Sequence, residues 1–179
     1  MTTAVAPARM RTPVTPRRSD ATPVRVPALP ATYVHPGQIV VSSGTEAFTT
    51  ILGSCVSVCL HDPKLGIGGL NHFLLPMACP PEQMPGRYGP SAMAQLVSAM
   101  LSNGAVLQRM VAHIVGGASV LAAFGTDSNH LGMRNVTVAR DFLHGHRIPV
   151  MTIDVGGTRG RKLVFSPRDG LTYINLLGG

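Results

Sequence analysis

Short apolar segments rich in β-branched residues follow one another from Gly37 to the carboxyl end, and glycines separate most of them. Segments of this length and composition are typical of β-strands that pack on a core. The pattern predicts eight strands, over residues 39–42, 47–52, 56–60, 67–75, 110–115, 149–154, 162–165 and 172–176.

Two other stretches repeat their apolar residues with the period of an α-helix. Ser91 is the expected N-cap of the first helix, which ends before Gly104. The second helix is predicted to begin at Asn135, as N-cap, and to end near Gly145. The apolar stripe of the first helix consists of Met93, Leu96, Val97, Met100 and Leu101.

This order of elements favours an α+β domain with mostly antiparallel sheets and with helices on the outside of the layers. A single domain is expected, because 179 residues with 45% apolar content supply one substantial core. We assign residues 37–179 to this domain. Residues 1–36 form a basic, proline-rich arm that we expect to be disordered.

The formal net charge of +7 by itself suggests an acidic partner such as a nucleic acid. Five arginines and one aspartate lie in residues 1–30, so this segment contributes +4 and the rest of the chain +3. The arm lacks the interleaved aromatic residues on which nucleic-acid bases stack. We therefore expect no nucleic acid among the partners.

The cysteines and the apolar runs predict the compartment. An odd number of cysteines, three, fits a reducing cytoplasm with free thiols, and the chain starts without the apolar region of a signal peptide. No apolar run reaches the length of about 18 residues that spans a bilayer. We expect a cytoplasmic protein without membrane insertion.

Residues 49–76 concentrate the side chains with potential chemistry. Gly53 and Ser54 form a small-residue turn before Cys55, which leaves the thiol accessible and aims backbone amides at an oxyanion. A thiol needs a base to become a nucleophile, and His72 follows after a turn that lets the two strands lie side by side. Thr49, on the preceding strand, is the candidate that orients the imidazole.

The spacing alone leaves alternatives open. A cysteine in an apolar strand is more often a small buried hydrophobe, and a single histidine in a strand more often has a structural role. A metal site is less favoured, because the paired short spacings of structural zinc are absent. Its ligands would be Cys55, Cys59, His72 and Cys79.

Several further motifs extend from Gly37 to the last strand, and together they resemble those of the chemoreceptor glutamine deamidases called CheD. The resemblance implies a catalytic trio of Thr49, Cys55 and His72. It also implies a layered α-β-β-α fold. The motif residues are Leu52, Gly53, Ser54, Cys55, Val56, Cys59, Asp62, Pro63, Gly69, Asn71, His72, Leu75, Pro76, Gly116, Gly117, Ala118, Gly132, Arg134, Asn135, Asp154, Gly156, Gly157, Arg159 and Arg161.

The activity implied by the resemblance is that of a protein-glutamine glutaminase. Such enzymes hydrolyse glutamine side chains in the cytoplasmic helical region of methyl-accepting chemotaxis receptors to glutamate and ammonia, with no metal or organic cofactor. In some relatives a CheC-type phosphatase is an inhibitory partner. A non-catalytic adaptor that binds the receptor or the phosphatase through the same surface is the alternative function.

Six more residues are expected to border this site. Gly53, Ser54 and Asn71 are candidates for the loop that holds the oxyanion. Candidates for substrate binding are Gly116, Gly117 and Arg159.

Overall fold

The computed structural model describes residues 30–81, 83–119 and 130–178. These residues form nine strands and two helices. The helices are α1, Gly89–Ser102, and α2, Leu131–Gly145. The strands β1 to β9 are Ala31–Tyr33, Ile39–Ser42, Ala47–Leu52, Val56–Asp62, Ile67–Asn71, Val111–Gly116, Val150–Val155, Arg161–Phe165 and Thr172–Leu176.

The strands form two mixed sheets. The four-stranded sheet has the order β1-β3-β8-β9, and the five-stranded sheet has the order β2-β5-β4-β6-β7. Among the described strands, β1 with β3 and β6 with β7 are parallel neighbours, and the other neighbours are antiparallel. The expectation of mostly antiparallel sheets is therefore confirmed.

Two apolar clusters divide the domain into layers. The larger cluster packs α1 and α2 on one face of the five-stranded sheet, and Met93, Leu143 and Ile114 belong to it. The smaller one, the inter-sheet cluster, contains Phe48 and Phe165 and fills the space between the sheets. The α+β class is confirmed. Because both helices lie on the five-stranded sheet, the described residues form three layers, α-β-β, and do not include a second outer helical layer.

Both helices begin earlier than their apolar period predicts. α1 starts at Gly89 because a proline fits its first turn, where helical N–H groups have no intrahelical partner. α2 starts at Leu131, and the imidazole of His130 caps it by accepting the N–H of Gly132 at 3.1 Å. Asn135, the predicted N-cap, is buried inside α2. Neither described helix is long and apolar enough to cross a membrane.

Two strands differ from the prediction by more than two residues. β5 ends at Asn71, because the side-chain Oδ1 of Asn71 accepts the N–H of Val58 at 2.8 Å in place of a backbone bond between the strands. β1 lies inside the segment 1–36 that was assigned to the arm, and it pairs with β3. The folded domain thus begins before Gly37, because β1 completes the edge of the four-stranded sheet. The rest of the arm, residues 1–29, lies outside the described residues.

A buried carboxylate fixes the far end of β4. The side chain of Asp62 has no exposed surface, and Oδ2 lies 2.6 Å from Nη2 of Arg109. Asp62 also accepts the N–H groups of Lys64 and Val106. The hydrogen bond from Arg109 holds the pKa of Asp62 far below its ordinary value of 3.8, although burial acts in the opposite direction. This carboxylate joins the β4–β5 turn to the segment before β6.

Replacing Asp62 by asparagine is expected to lower Tm at neutral pH by several degrees, because Arg109 loses its carboxylate partner. A carboxylate with a pKa lowered by folding stabilises the protein above its unfolded-state pKa, and this contribution is lost as the pH falls. The difference in Tm from wild type should therefore shrink below about pH 3.8. Thermal unfolding of Asp62→Asn, with the exposed Asp141→Asn as control, measures it, and a difference that persists in acid would contradict the assignment.

Candidate active site

Cys55 and His72 flank a backbone bridge in the five-stranded sheet. Cys55 comes directly before β4, and His72 directly after β5. Val56 donates its N–H to the carbonyl oxygen of Phe73 at 3.1 Å, and Phe73 donates its N–H to that of Val56 at 3.0 Å. Because side chains alternate between the faces of a strand, Cys55 and His72 both lie on the face opposite Val56 and Phe73.

This register makes Cys55 and His72 diagonal neighbours. Leu74 lies opposite Cys55, and diagonal residues of an antiparallel pair have Cα atoms roughly 7–8 Å apart, within reach of a long side chain. The face that they share is turned to the four-stranded sheet, since Cys55 packs against the inter-sheet cluster. The thiol and the imidazole therefore lie at the seam between the two sheets.

The cysteines before and within β4 differ in exposure. Cys55 is half-buried, whereas Cys59 is fully buried in the inter-sheet cluster. Burial raises the pKa of both thiols. For Cys55, its own backbone amide and the charge of Arg87 act in the opposite direction but do not outweigh burial. The Cys55 thiol is therefore protonated at neutral pH, and it needs a base to become a nucleophile.

A buried chain of hydrogen bonds fixes the imidazole of His72. The hydroxyl of Thr50 donates to the carbonyl oxygen of Val34 at 2.8 Å, and the same hydroxyl oxygen lies 2.9 Å from Nδ1 of His72. The carbonyl oxygen of Val34 only accepts hydrogen bonds, and it lies 3.4 Å from Nδ1 as well. We therefore assign the hydroxyl proton of Thr50 to Val34 and a proton to Nδ1. In this tautomer Nε2 carries the lone pair, so Nε2 is the ring nitrogen that is able to accept a proton.

Burial also sets the charge of this imidazole. His72 has only 2% of its surface exposed. Burial lowers its pKa from the ordinary value of 6.5, the hydrogen bond to Val34 acts in the opposite direction, and the charge of His35 lowers the pKa further. His72 is therefore neutral at pH 7, the state in which it serves as a base.

Thr49, the residue predicted to orient the imidazole, faces elsewhere. Its hydroxyl donates to the carbonyl oxygen of Leu163 on β8 at 2.9 Å. Successive residues of a strand point to opposite faces, and Thr50 is the threonine whose hydroxyl contacts His72. In the structure it is therefore Thr50, and not Thr49, whose hydroxyl contacts the imidazole.

The turn that carries Cys55 packs on Gly116 and Gly117, at the end of β6. The carbonyl oxygens of Gly53 and Cys55 accept the N–H groups of Ala118 and Gly117, each at 2.8 Å. Gly116 and Gly117 have φ angles of 115° and 67°, and a Cβ on Gly116 would collide with the carbonyl oxygen of Cys55. These two glycines, predicted to bind substrate, contact the backbone of Cys55 and hold it in position.

Asn135 of α2 is a site residue to which sequence analysis gave no role at the thiol. Its Nδ2 donates to the carbonyl oxygen of Ser54 at 3.0 Å and to that of Leu74 at 2.8 Å. Because the C=O and N–H of a trans peptide point in opposite directions, this bond to Ser54 also directs the N–H of Cys55. The sequence does include Asn135 among the motif residues of the family. Because Asn135 was predicted to be a helix N-cap, its contact with the Cys55 turn was not expected.

Two other predicted site residues have their side-chain contacts with other groups than Cys55 and His72, among them Met93 and Leu177. Asn71 faces α1, where its Nδ2 lies 3.4 Å from the sulfur of Met93, so it is on the other side of the sheet from Cys55. Arg159 is exposed and donates to the carbonyl oxygen of Leu177 at 3.2 Å. In the part of the chain that the structure describes, no group of three or more His, Cys, Asp or Glu side chains is placed to hold a metal ion.

Comparison with known proteins finds relatives over most of the chain. A protein of Anaeromyxobacter dehalogenans (strain 2CP-C), named probable chemoreceptor glutamine deamidase CheD 1, is 48% identical over 145 residues, which cover 81% of this chain and 84% of the relative. A probable chemoreceptor glutamine deamidase CheD of Xanthomonas campestris pv. campestris (strain B100) is 43% identical, covering 82% of this chain and 73% of the relative. The probable chemoreceptor glutamine deamidase CheD of Jannaschia sp. (strain CCS1) is 44% identical, and the match covers 78% of each chain.

One solved structure overlaps part of the domain. The hypothetical protein YfiH of Bacillus licheniformis is 14% identical, with a TM-score of 0.44 over 65% of this chain and 49% of that chain. The family model described as CheD chemotactic sensory transduction matches residues 74–176, which is more than half of the chain. The resemblance in sequence is thereby confirmed, and the chain belongs to the CheD family.

Proposed function

We propose that this chain is a chemoreceptor glutamine deamidase, a protein-glutamine glutaminase with Cys55 as nucleophile and His72 as base. The relatives from three bacteria carry the name of this activity. The observation that carries the mechanism is the orientation of His72, whose Nδ1 is held by Thr50 so that Nε2 remains free. A half-buried thiol on the same face of the sheet supplies the nucleophile.

The first half of the reaction starts from a neutral thiol and a neutral imidazole. As the sulfur of Cys55 attacks the carboxamide carbon of a glutamine, the thiol proton passes to Nε2 of His72, and a tetrahedral oxyanion forms. The imidazolium then gives this proton to the amide nitrogen, the C–N bond breaks, and ammonia leaves. A thioester between Cys55 and the former glutamine side chain remains.

The second half uses the same nitrogen. Nε2 takes a proton from a water molecule as the water oxygen attacks the thioester carbon, and the C–S bond then breaks. The proton returns to the sulfur, so the products are glutamate and the resting thiol. In both halves the Nδ1–H group stays bonded to Thr50, which keeps the imidazole oriented.

The oxyanion needs donors that are in place before the reaction, and we assign the N–H groups of Ser54 and Cys55 to this role. Each N–H belongs to a peptide whose carbonyl oxygen accepts a hydrogen bond on the opposite side. The carbonyl of Gly53 accepts from Ala118, and the carbonyl of Ser54 accepts from Asn135. This assignment keeps Ser54 in the predicted oxyanion loop, with Gly53 in support. Asn135 is a positioning residue for one donor.

The receptor is the partner that this activity requires. The proposed substrate is the cytoplasmic helical region of methyl-accepting chemotaxis receptors, so the proposal includes a cytoplasmic location. A CheC-type phosphatase is a further proposed partner, which rests on the family resemblance.

Cys55→Ala is expected to abolish ammonia release from a receptor cytoplasmic fragment, because the nucleophile is lost. His72→Gln should lower kcat by about 10²–10⁴-fold, the usual contribution of general acid–base catalysis. Mass spectrometry of the fragment measures the mass gain of each glutamine converted to glutamate, and Cys79→Ala is the control.

Undiminished ammonia release by Cys55→Ala would refute the mechanism. Retained signalling in a Cys55→Ser strain would favour the adaptor function.

Thr50→Val keeps the shape of the side chain but removes the nearer of the two oxygens that face Nδ1, so that only the carbonyl oxygen of Val34, at 3.4 Å, remains. The imidazole then has two tautomers available, so kcat should fall by about tenfold or more, with KM nearly unchanged. Thr49→Val is the matched control and should stay within about twofold of wild type, because its hydroxyl contacts Leu163. Steady-state kinetics measures kcat of both variants. An equal loss of kcat in the two would show that Thr50 does not orient the imidazole.

Asn135→Leu removes the Nδ2 donor at nearly constant volume. Without this hydrogen bond the peptide between Ser54 and Cys55 is no longer held in one orientation, and the N–H of Cys55 no longer points at the oxyanion. We therefore expect kcat to fall by about tenfold or more. Asn103→Leu is the control, because the amide of Asn103 contacts Ala99 at the end of α1. If kcat of Asn135→Leu equals that of wild type while Tm shows a folded protein, Asn135 does not position the donor.

A further inference from the structure

Arg87 lies one backbone strand away from Cys55. The segment after Phe73 runs beside both residues, with Leu74 opposite Cys55. Leu74 and Leu75 both donate their N–H groups to the carbonyl oxygen of Arg87, at 2.9 and 3.1 Å. The backbone of Arg87 is therefore fixed with respect to the nucleophile.

The other side of Arg87 touches the turn that carries His72. A Cβ added to Gly37 would lie 2.9 Å from Cγ of Arg87, so the arginine stem packs directly on this glycine. Gly37 in turn donates its N–H to the carbonyl oxygen of His72 at 2.6 Å. Arg87 is thus separated from the backbone of Cys55 by Leu74 and from that of His72 by Gly37, and it remains exposed.

The guanidinium of Arg87 has no carboxylate partner among the described residues. The ion pairs found there are Arg109 with Asp62 and Arg161 with Asp154, and neither includes Arg87. Its charge does reach the site, because it lowers the pKa of the Cys55 thiol against the effect of burial. Among the described residues no acidic side chain neutralises the guanidinium of Arg87, which can therefore pair with an incoming anion.

We propose, on the basis of the proposed deamidase function, that Arg87 determines specificity by binding a carboxylate that the substrate carries within one helical turn of the target glutamine. A guanidinium recognises a carboxylate with two parallel hydrogen bonds, which fixes orientation as well as adding affinity. An exposed arginine on a fixed backbone beside the nucleophile is suited to this task. Glutamines with acidic neighbours are then the preferred substrates.

The test compares two receptor cytoplasmic fragments in steady-state kinetics with the full-length enzyme. The acidic fragment has Glu or Asp within one helical turn of a glutamine that wild type deamidates, and the neutral fragment has those acids changed to Gln or Asn. The enzymes are wild type, Arg87→Gln, Arg87→Lys and, as a control, Arg140→Gln on the exposed face of α2.

Loss of a charge-assisted hydrogen bond corresponds to about tenfold or more in binding. Arg87→Gln should therefore raise KM for the acidic fragment by about tenfold and leave KM for the neutral fragment unchanged, with kcat within about twofold for both. Arg87→Lys should recover part of the loss, and Arg140→Gln should match wild type.

Three results would overturn the inference while leaving the deamidase function intact. The first is an equal change of KM for both fragments in Arg87→Gln, the second is a change of kcat alone, and the third is the absence of acidic residues within one helical turn of the glutamines that wild type modifies. Failure of wild type to release ammonia from either fragment would instead reject the proposed function itself.

Discussion

The proton of one buried hydroxyl sets the arrangement of the site. Thr50 gives this proton to Val34, so its oxygen accepts from Nδ1 of His72 and leaves Nε2 free. Val34 follows β1, Thr50 belongs to β3 and His72 follows β5, so the chain of bonds crosses from the four-stranded to the five-stranded sheet. The imidazole is oriented only when the two sheets are packed, which couples the inter-sheet cluster to the chemistry.

The position of the nucleophile depends on a second constraint, the close approach of backbones around its turn. A Cβ on Gly116 would collide with the carbonyl of Cys55, and a Cβ on Gly132 would collide with that of Gly117. The backbones of α2, the glycine turn and the Cys55 turn therefore lie against one another. This stacking brings Asn135 within hydrogen-bond distance of the peptide before Cys55.

Much of this fold follows from local patterns, whereas the finer geometry of the site does not. The period of apolar residues predicted most strands within two residues, and the turn before Cys55 together with His72 predicted the pair at the seam. The choice between Thr49 and Thr50 depends on which face of β3 meets the other sheet, and local sequence does not fix that. β1 and Asn135 were misassigned for a similar reason, since tertiary contacts, rather than propensity, decide their structure.

Nitrogen NMR of the full-length protein labelled with ¹⁵N-histidine tests the orientation of His72 most directly, because it reports which ring nitrogen carries the proton. The spectrum of His72→Gln identifies the signals of this residue among the other histidines. At neutral pH we expect a protonated Nδ1 and an unprotonated Nε2 in wild type, and a mixture of both tautomers in Thr50→Val. A proton found on Nε2 of wild type would contradict the mechanism, because that nitrogen then has no lone pair for the thiol proton.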